Sequence, residues 1–315
     1  MKIAVLEPLG IDQKKLEASL RDAVGDSNEV VFFPDRQVEA QELIRRIGDA
    51  EAAVLSNIPF PGEVVAGCPK LKYLCVAFTG CDHVDLDACR ARGIQVANAS
   101  GYSTAAVSEL VFALALSLMR QLLVCDARTR SGAARGSLLG SELRGKTFGI
   151  VGLGAIGQRV ATLAQAFGCQ VLASSRTPKA IPGVLEVSLE ELLRRSDVVS
   201  LHLPLVPETK GLLNQERLAL MKPGALLINT ARGPIVDSFA LAQALNEERL
   251  GGAAIDVFEG EPPLPKDHPL LTAKNTQLAP HVAYATHESM ERRAAIVCEN
   301  LRSYLAGSAQ NLVLN

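Results

Sequence analysis

The chain has 315 residues, 48% of them hydrophobic and 21% charged, which is enough apolar mass for two cores of ordinary domain size. A formal net charge of -2, 4% aromatic residues and no Trp exclude the basic footprint and the stacking platforms that nucleic-acid binding requires. The seven cysteines are odd in number and form no C-x-x-C pair, so reduced cytoplasmic thiols are expected rather than a disulfide frame or a metal site.

In chain order, the opening MKIAVLEPLGID turns polar at Glu7 and Asp12, too early for a signal peptide. Lys2–Leu6, Val30–Phe33, Ala52–Ser56, Tyr73–Ala77 and Ile94–Ala97 are predicted strands. Lys14–Val24, Ala40–Gly48 and Asp85–Ala91 carry helical apolar spacing between them. One long helix, roughly Thr104 to Leu123, is apolar on most sides and must be covered, either by the core or by a second subunit. Its longest apolar run, Leu110 to Met119, is too short to cross a membrane.

The alternation then restarts. Thr147–Val151, Gln170–Ala173, Val198–Leu203, Ala225–Asn229, Ala253–Val257 and Thr276–Leu278 read as six strands. Ala155–Phe167, Leu189–Arg195, Gln215–Leu220 and Ser238–Asn246 are the helices between them, and His287–Leu305 is a last helix after Pro280. Strand–helix alternation throughout predicts two doubly wound α/β domains, each a parallel sheet covered on both faces.

Gly152-Leu153-Gly154-Ala155-Ile156-Gly157 is a G-x-G-x-x-G segment between a predicted strand and a predicted helix, the context that makes it a dinucleotide-binding turn. Gly152 permits the tight turn, Gly154 admits the pyrophosphate, and Gly157 lets helix and sheet pack closely. The helix start, with Ala155 and Ile156, presents backbone N–H groups to the phosphates. An Asp or Glu expected about 20 residues on, where NAD enzymes bind the ribose hydroxyls, is missing. Ser174, Ser175 and Arg176 stand there instead, and the next carboxylate is Glu186. Two hydroxyls and a guanidinium suit a 2′-phosphate, so NADP is the expected cofactor, with NAD the alternative.

Three ionisable residues follow three successive predicted strands: Arg232, Glu261 and His281. Ligands of open α/β sheets sit at such strand ends. Reduction of a carbonyl needs a proton donor, and His281 serves near neutral pH. A Glu261 carboxylate beside it would orient the ring, and Arg232 would clamp a substrate carboxylate. Taken singly each is an ordinary residue, as are His83, His202, His268 and His287, and Asp256 could simply end a strand.

With these residues in view the sequence resembles the D-isomer-specific 2-hydroxyacid dehydrogenases from about Tyr73 to His287, less so before. VGLGAIG matches their cofactor turn, INTARGPIVD their catalytic arginine as Arg232, AAIDVFEGEPP their glutamate as Glu261, and LAPHVAYAT their histidine as His281. The resemblance implies a Rossmann cofactor domain, residues 99–287, inserted in a flavodoxin-like substrate domain of residues 1–98 plus 288–315. It places Thr104, Thr230 and Asp256 against the cofactor. It also puts the backbone amides of Ala77, Phe78, Thr79 and Gly80 against the substrate, and the long helix in a homodimer.

The expected reaction is hydride transfer to a small 2-oxo acid of the glyoxylate or hydroxypyruvate type, in the cytoplasm, with domain closure excluding water. Rival substrates on the same fold are 3-phosphoglycerate, phosphite and formate, and a dinucleotide-sensing corepressor is a rival of another class. With the sequence ending at Asn315, the regulatory tail of many phosphoglycerate dehydrogenases is not expected. The pocket wall is expected among Asn57–Phe60, Phe78 and Tyr284.

Overall fold

Short runs of aliphatic residues form the first sheet of the computed structural model, which describes residues 1–260 and 263–314. In order these are β1 (Lys2–Val5), α1 (Gln13–Val24), β2 (Glu29–Phe32), α2 (Ala40–Ile47), β3 (Ala52–Leu55), α3 (Gly62–Gly67), β4 (Tyr73–Val76), α4 (Leu86–Ala91) and β5 (Gln95–Asn98). Every residue of β3 and β4 is buried, as a sheet covered on both faces demands. Helix α1 buries Leu16, Leu20, Ala23 and Val24, one stripe at helical spacing, and starts where the Asp12 side chain accepts from the Lys15 amide.

The chain then leaves this sheet. It forms α5 (Thr104–Met119), α6 (Leu122–Arg130), β6 (Thr147–Val151), α7 (Ala155–Ala166), β7 (Gln170–Ser174), β8 (Val184–Glu186), α8 (Leu189–Arg195), β9 (Val198–Leu201), α9 (Gln215–Leu220), β10 (Leu226–Asn229), α10 (Ser238–Asn246), β11 (Gly252–Ile255) and β12 (Thr276–Leu278). Helix α11 (His287–Leu305) and β13 (Leu312–Leu314) follow. Two compact units result: Met1–Ser103 with Ala285–Asn315, and Thr104–Tyr284.

In the first unit the strand order is β13-β5-β4-β3-β1-β2. All pairs are parallel except β13 with β5. Without β13 this is the flavodoxin-like order. Helix α11, started by a capping box at Thr286, packs Val297 and Leu301 onto the core of Ile3, Val54 and Tyr73, and Tyr304 stacks on Tyr73 with ring centroids 4.0 Å apart. The second sheet is all parallel in the order β12-β11-β10-β9-β6-β7-β8, the dinucleotide-binding order with a seventh strand. Phe148 and Ile150 of β6 face Val111, Phe112 and Val160 of α5 and α7, whereas Val199 and Leu201 of β9 face Leu193, Leu218 and Leu241 of α8, α9 and α10. The two parallel-sheet α/β folds that the alternation predicts are therefore present, in the orders that the resemblance implies.

Four elements depart from the sequence reading. The single helix expected over Thr104–Leu123 breaks where Gln121 takes a left-handed conformation at φ 53°, and α6 resumes at 59° to α5. Among the described residues no single helix is long and apolar enough to cross a membrane. Strands β8 and β13 and helix α3, of three, three and six residues, are absent from the sequence reading. Val184–Glu186, not counted among the six expected strands, forms the edge strand of the cofactor sheet beside β7.

Asn300 ties the returning helix to the first sheet. It is fully buried, donates to the Asn98 carbonyl at 2.9 Å and accepts from Asn311 at 2.7 Å. Replacing it leaves a buried carbonyl unsatisfied, so Asn300→Ala is expected to lose about 1–3 kcal/mol in urea unfolding. An unchanged midpoint would show that the tie contributes nothing.

Candidate active site

The carboxyl ends of the second sheet gather most of the residues singled out in the sequence. At the end of β6, Gly152 adopts φ 102° and its amide donates to the Ser174 carbonyl at 2.8 Å, which joins the turn to β7. A Cβ on Gly152 would strike the His202 carbonyl, and one on Gly157 would strike the Gly152 carbonyl, so neither position admits a side chain. A Cβ on Gly154 would meet nothing within 4 Å. Gly154 is the N-cap of α7 and has no capping side chain, so the first amides of the helix, at Ala155, Ile156 and Gly157, are left for an anion. The residues present fit a dinucleotide pyrophosphate.

At the end of β10, Asn229 is 1% exposed and brackets the next turn. Its Oδ1 accepts from the Ala231 amide at 3.0 Å and its Nδ2 donates to the Arg232 carbonyl at 2.9 Å. Arg232 is extended there and donates from Nη1 to the Ala231 carbonyl at 2.7 Å. Inside this turn the Thr230 Oγ1 is buried with no hydrogen-bond partner among the described residues, a polar atom waiting for one. The following Gly233 lies against the Phe258 carbonyl so closely that any Cβ would overlap it. The Arg232 turn is thus locked to the segment after β11.

That segment holds the strongest anchor of the site. Asp256 has no exposed surface, and its two carboxylate oxygens accept from the amides of Val282 at 2.8 Å and Ala283 at 2.9 Å. Its backbone carbonyl accepts from the His281 amide at 2.7 Å. His281 sits at φ 54°, a left-handed conformation that costs a non-glycine residue about 1 kcal/mol or more, and its ring meets Tyr284 edge-on at 5.5 Å between centroids. The resemblance implies a cofactor contact for Asp256, and within the protein its carboxylate also braces the histidine turn. Beyond Phe258, Glu259 accepts from Ser238 Oγ at 2.6 Å and lies 3.4 Å from His268 Nε2. Glu261 lies outside the described residues.

Two more of the expected site residues are engaged within the protein. Ser175 does not offer a spare hydroxyl: its Oγ donates to the Thr177 carbonyl at 2.9 Å and lies 3.1 Å from Glu186 Oε2. In the first unit, the Ala77 amide continues the sheet by donating to the Leu55 carbonyl at 2.6 Å. The rest of that segment is held by its carbonyls, Phe78 to the Ala99 amide at 3.0 Å and Thr79 to Asn98 Nδ2 at 2.7 Å. Ser174 ends β7, Arg176 is exposed beyond it, and Thr104 is the part-buried first residue of α5.

Sequence reasoning passed over Glu7. This buried carboxylate, just past β1, accepts from the amides of Ser56, Asn57 and Ile58 at 2.7, 3.1 and 3.3 Å and from Arg36 at 2.6 Å. Arg293, 3% exposed, donates to Ser56 Oγ at 3.2 Å and to the Leu9 carbonyl. A charge following a strand directly was the available signal, visible in the sequence as Glu7 interrupting an apolar run.

The comparisons with known proteins now bear on this geometry. Residues 112–283 match the pattern described as "D-isomer specific 2-hydroxyacid dehydrogenase, NAD binding domain". The chain belongs to the D-isomer specific 2-hydroxyacid dehydrogenase family. As a member it is an oxidoreductase acting on CH–OH donors with a nicotinamide dinucleotide. A hydroxypyruvate reductase of Blautia hydrogenotrophica is 36% identical over 325 aligned positions, covering 99% of each chain. A glyoxylate reductase of Thermococcus litoralis is 40% identical over 286 positions, covering 87% of this chain and 86% of the relative. Among solved structures, an acyclic imino acid reductase in complex with NADPH and D-Arg superposes with a TM-score of 0.93 at 32% identity, covering 100% of both chains.

His202 backs the cofactor turn of this dehydrogenase. Its amide donates to the Val151 carbonyl at 2.8 Å and its Nε2 lies 2.9 Å from Ser200 Oγ. The residue keeps some surface, but burial of the ring lowers its pKa from the ordinary 6.5 to about 3. The fold therefore favours the neutral ring. That contribution is complete above about pH 6.5 and is lost as pH falls towards 3. Melting temperatures of the wild type should decline between pH 7.5 and 5, and those of His202→Gln should decline less. Parallel declines would show that His202 is not the titrating group.

Proposed function

We propose that this dehydrogenase reduces small 2-oxo acids of the glyoxylate and hydroxypyruvate type to D-2-hydroxy acids, with NADPH preferred to NADH. The observation that carries the reading is the bracing of Arg232 and His281 at the ends of β10 and β12, the two neighbours of β11, whose following Asp256 holds the histidine turn. The names of the hydroxypyruvate and glyoxylate reductases among its relatives support the substrate class, and the NADPH in the imino acid reductase supports the cofactor.

When bound, the nicotinamide supplies the hydride. The protein does the rest. Arg232 pairs its guanidinium with the substrate carboxylate and polarises the 2-oxo group. The His281 ring gives its proton to the carbonyl oxygen as negative charge develops there, and Glu261 serves to orient that ring. Amides at Ala155, Ile156 and Gly157 hold the pyrophosphate, the Thr230 hydroxyl and Thr104 meet the cofactor, and Arg176 takes the 2′-phosphate. The exposed Leu122, Leu123, Val124 and Leu139 support a homodimer built on α5 and α6, in keeping with a cytoplasmic enzyme.

His281→Ala is expected to lower kcat about 10²–10⁴-fold while NADPH dissociation constants from fluorescence titration change less than about twofold. Turnover near the wild-type value would end the assignment. The cofactor choice rests on kcat/KM for NADPH against NADH with glyoxylate as substrate. A ratio above about 10, reduced about tenfold in Arg176→Gln, is the expected result, and a wild-type preference for NADH overturns it.

A further inference from the structure

The sequence reading names Glu186 only as the next carboxylate after the Ser174–Arg176 segment. Folding brings it back. In the β7–β8 register Glu186 lies beside Ala173, so its side chain emerges at the carboxyl edge next to Ser174 and Ser175. Its Oε1 accepts from the Lys179 amide at 2.7 Å and the Ala180 amide at 3.1 Å, and its Oε2 lies 3.1 Å from Ser175 Oγ. The loop after β7 is wrapped around this carboxylate closely enough to hold Ala180 at φ 48°, a conformation that L residues seldom adopt. The backbone donors lower the carboxyl's pKa from 4.5, so it is charged wherever the enzyme works. The same loop carries Arg176, which is exposed and has no ion-pair partner among the described residues.

We propose that Glu186 is a specificity-determining residue for the cofactor, a fixed negative charge beside Ser175 that opposes Arg176 and limits the preference for a 2′-phosphate. This rests on the reading above, that the Ser174–Arg176 segment receives the adenosine ribose. Two facts support the sign. A phosphate is an acceptor only, and the Ser175 proton is already directed at the Thr177 carbonyl and Glu186. A phosphate of charge about -1.5 to -2 placed beside Ser175 would also face a carboxylate one hydrogen bond away. The ribose of NADH carries only hydroxyls there and meets no such opposition. Glu186 thus acts from β8 where the usual acidic residue would act from the end of β7.

The test compares wild type with Glu186→Gln, Glu186→Leu and Arg176→Gln. The readouts are kcat/KM for NADPH and NADH, and calorimetric affinities for ADP-ribose and 2′-phospho-ADP-ribose, which report binding without turnover. Both Glu186 variants remove the charge, and Gln keeps an acceptor for the loop amides, so either one that folds decides the matter. The expected result is a phosphorylated-to-unphosphorylated ratio raised about 3–10-fold by losing Glu186 and lowered by losing Arg176. A ratio that falls in Arg176→Gln but stays constant in the Glu186 variants, or an equal loss for both ligands, overturns the role of Glu186 and leaves the adenosine subsite standing. A ratio unmoved by Arg176→Gln overturns the subsite itself, and this proposal with it.

Discussion

The histidine turn of this enzyme depends on one buried carboxylate. Asp256 is wholly enclosed, and both its carboxylate oxygens accept backbone amides, as a buried polar group requires. Those amides belong to the residues just after His281, and the Asp256 carbonyl takes the His281 amide as well. Three bonds from one residue therefore hold a histidine in a left-handed conformation it would not adopt unaided. An error of 1 Å in such a turn would cost far more in orientation than in stability.

The same device recurs. Glu7 gathers three consecutive amides beyond β3, and Glu186 gathers two beyond β7. In each case a carboxylate near one strand end organises the loop of a neighbouring strand. Loops at the edge of a parallel sheet have no ladder of their own, so their backbone donors need partners from elsewhere. Supplying these from carboxylates leaves the loops both polar and rigid, which suits surfaces that must hold charged ligands in fixed places. The glycines serve the complementary purpose. Gly157 and Gly233 let backbone meet backbone where any side chain would separate the Gly152 turn from its helix and the Arg232 turn from the Phe258 segment.

Much of this was legible in the chain itself. Fully buried strands of four residues alternating with helices announce a parallel sheet, because short β-branched and aliphatic runs recurring between helical patterns fit strands covered on both faces. The glycine turn was legible for the same reason: its requirements are local and steric. Arg232, Glu261 and His281 were visible as charged residues directly after apolar runs. The break at Gln121 was not, since nothing in the apolar pattern of Thr104–Leu123 distinguishes one bent helix pair from a single helix.

By itself, then, the sequence determined the two parallel sheets, the alternation of their main strands and helices and the cofactor turn, which follow from local sterics and hydrophobic periodicity. Only the tertiary structure decided which hydrogen-bond donors and acceptors remain for ligands. Asp256, Ala77 and Ser175 each carry groups suited to a ligand, yet each is engaged by a partner far along the chain or on a neighbouring loop. Glu186, distant in sequence, stands beside Ser175 because β8 pairs with β7. Hydrogen-bond commitment is a property of strand pairing across the sheet, and pairing between distant segments leaves no periodic trace in the sequence.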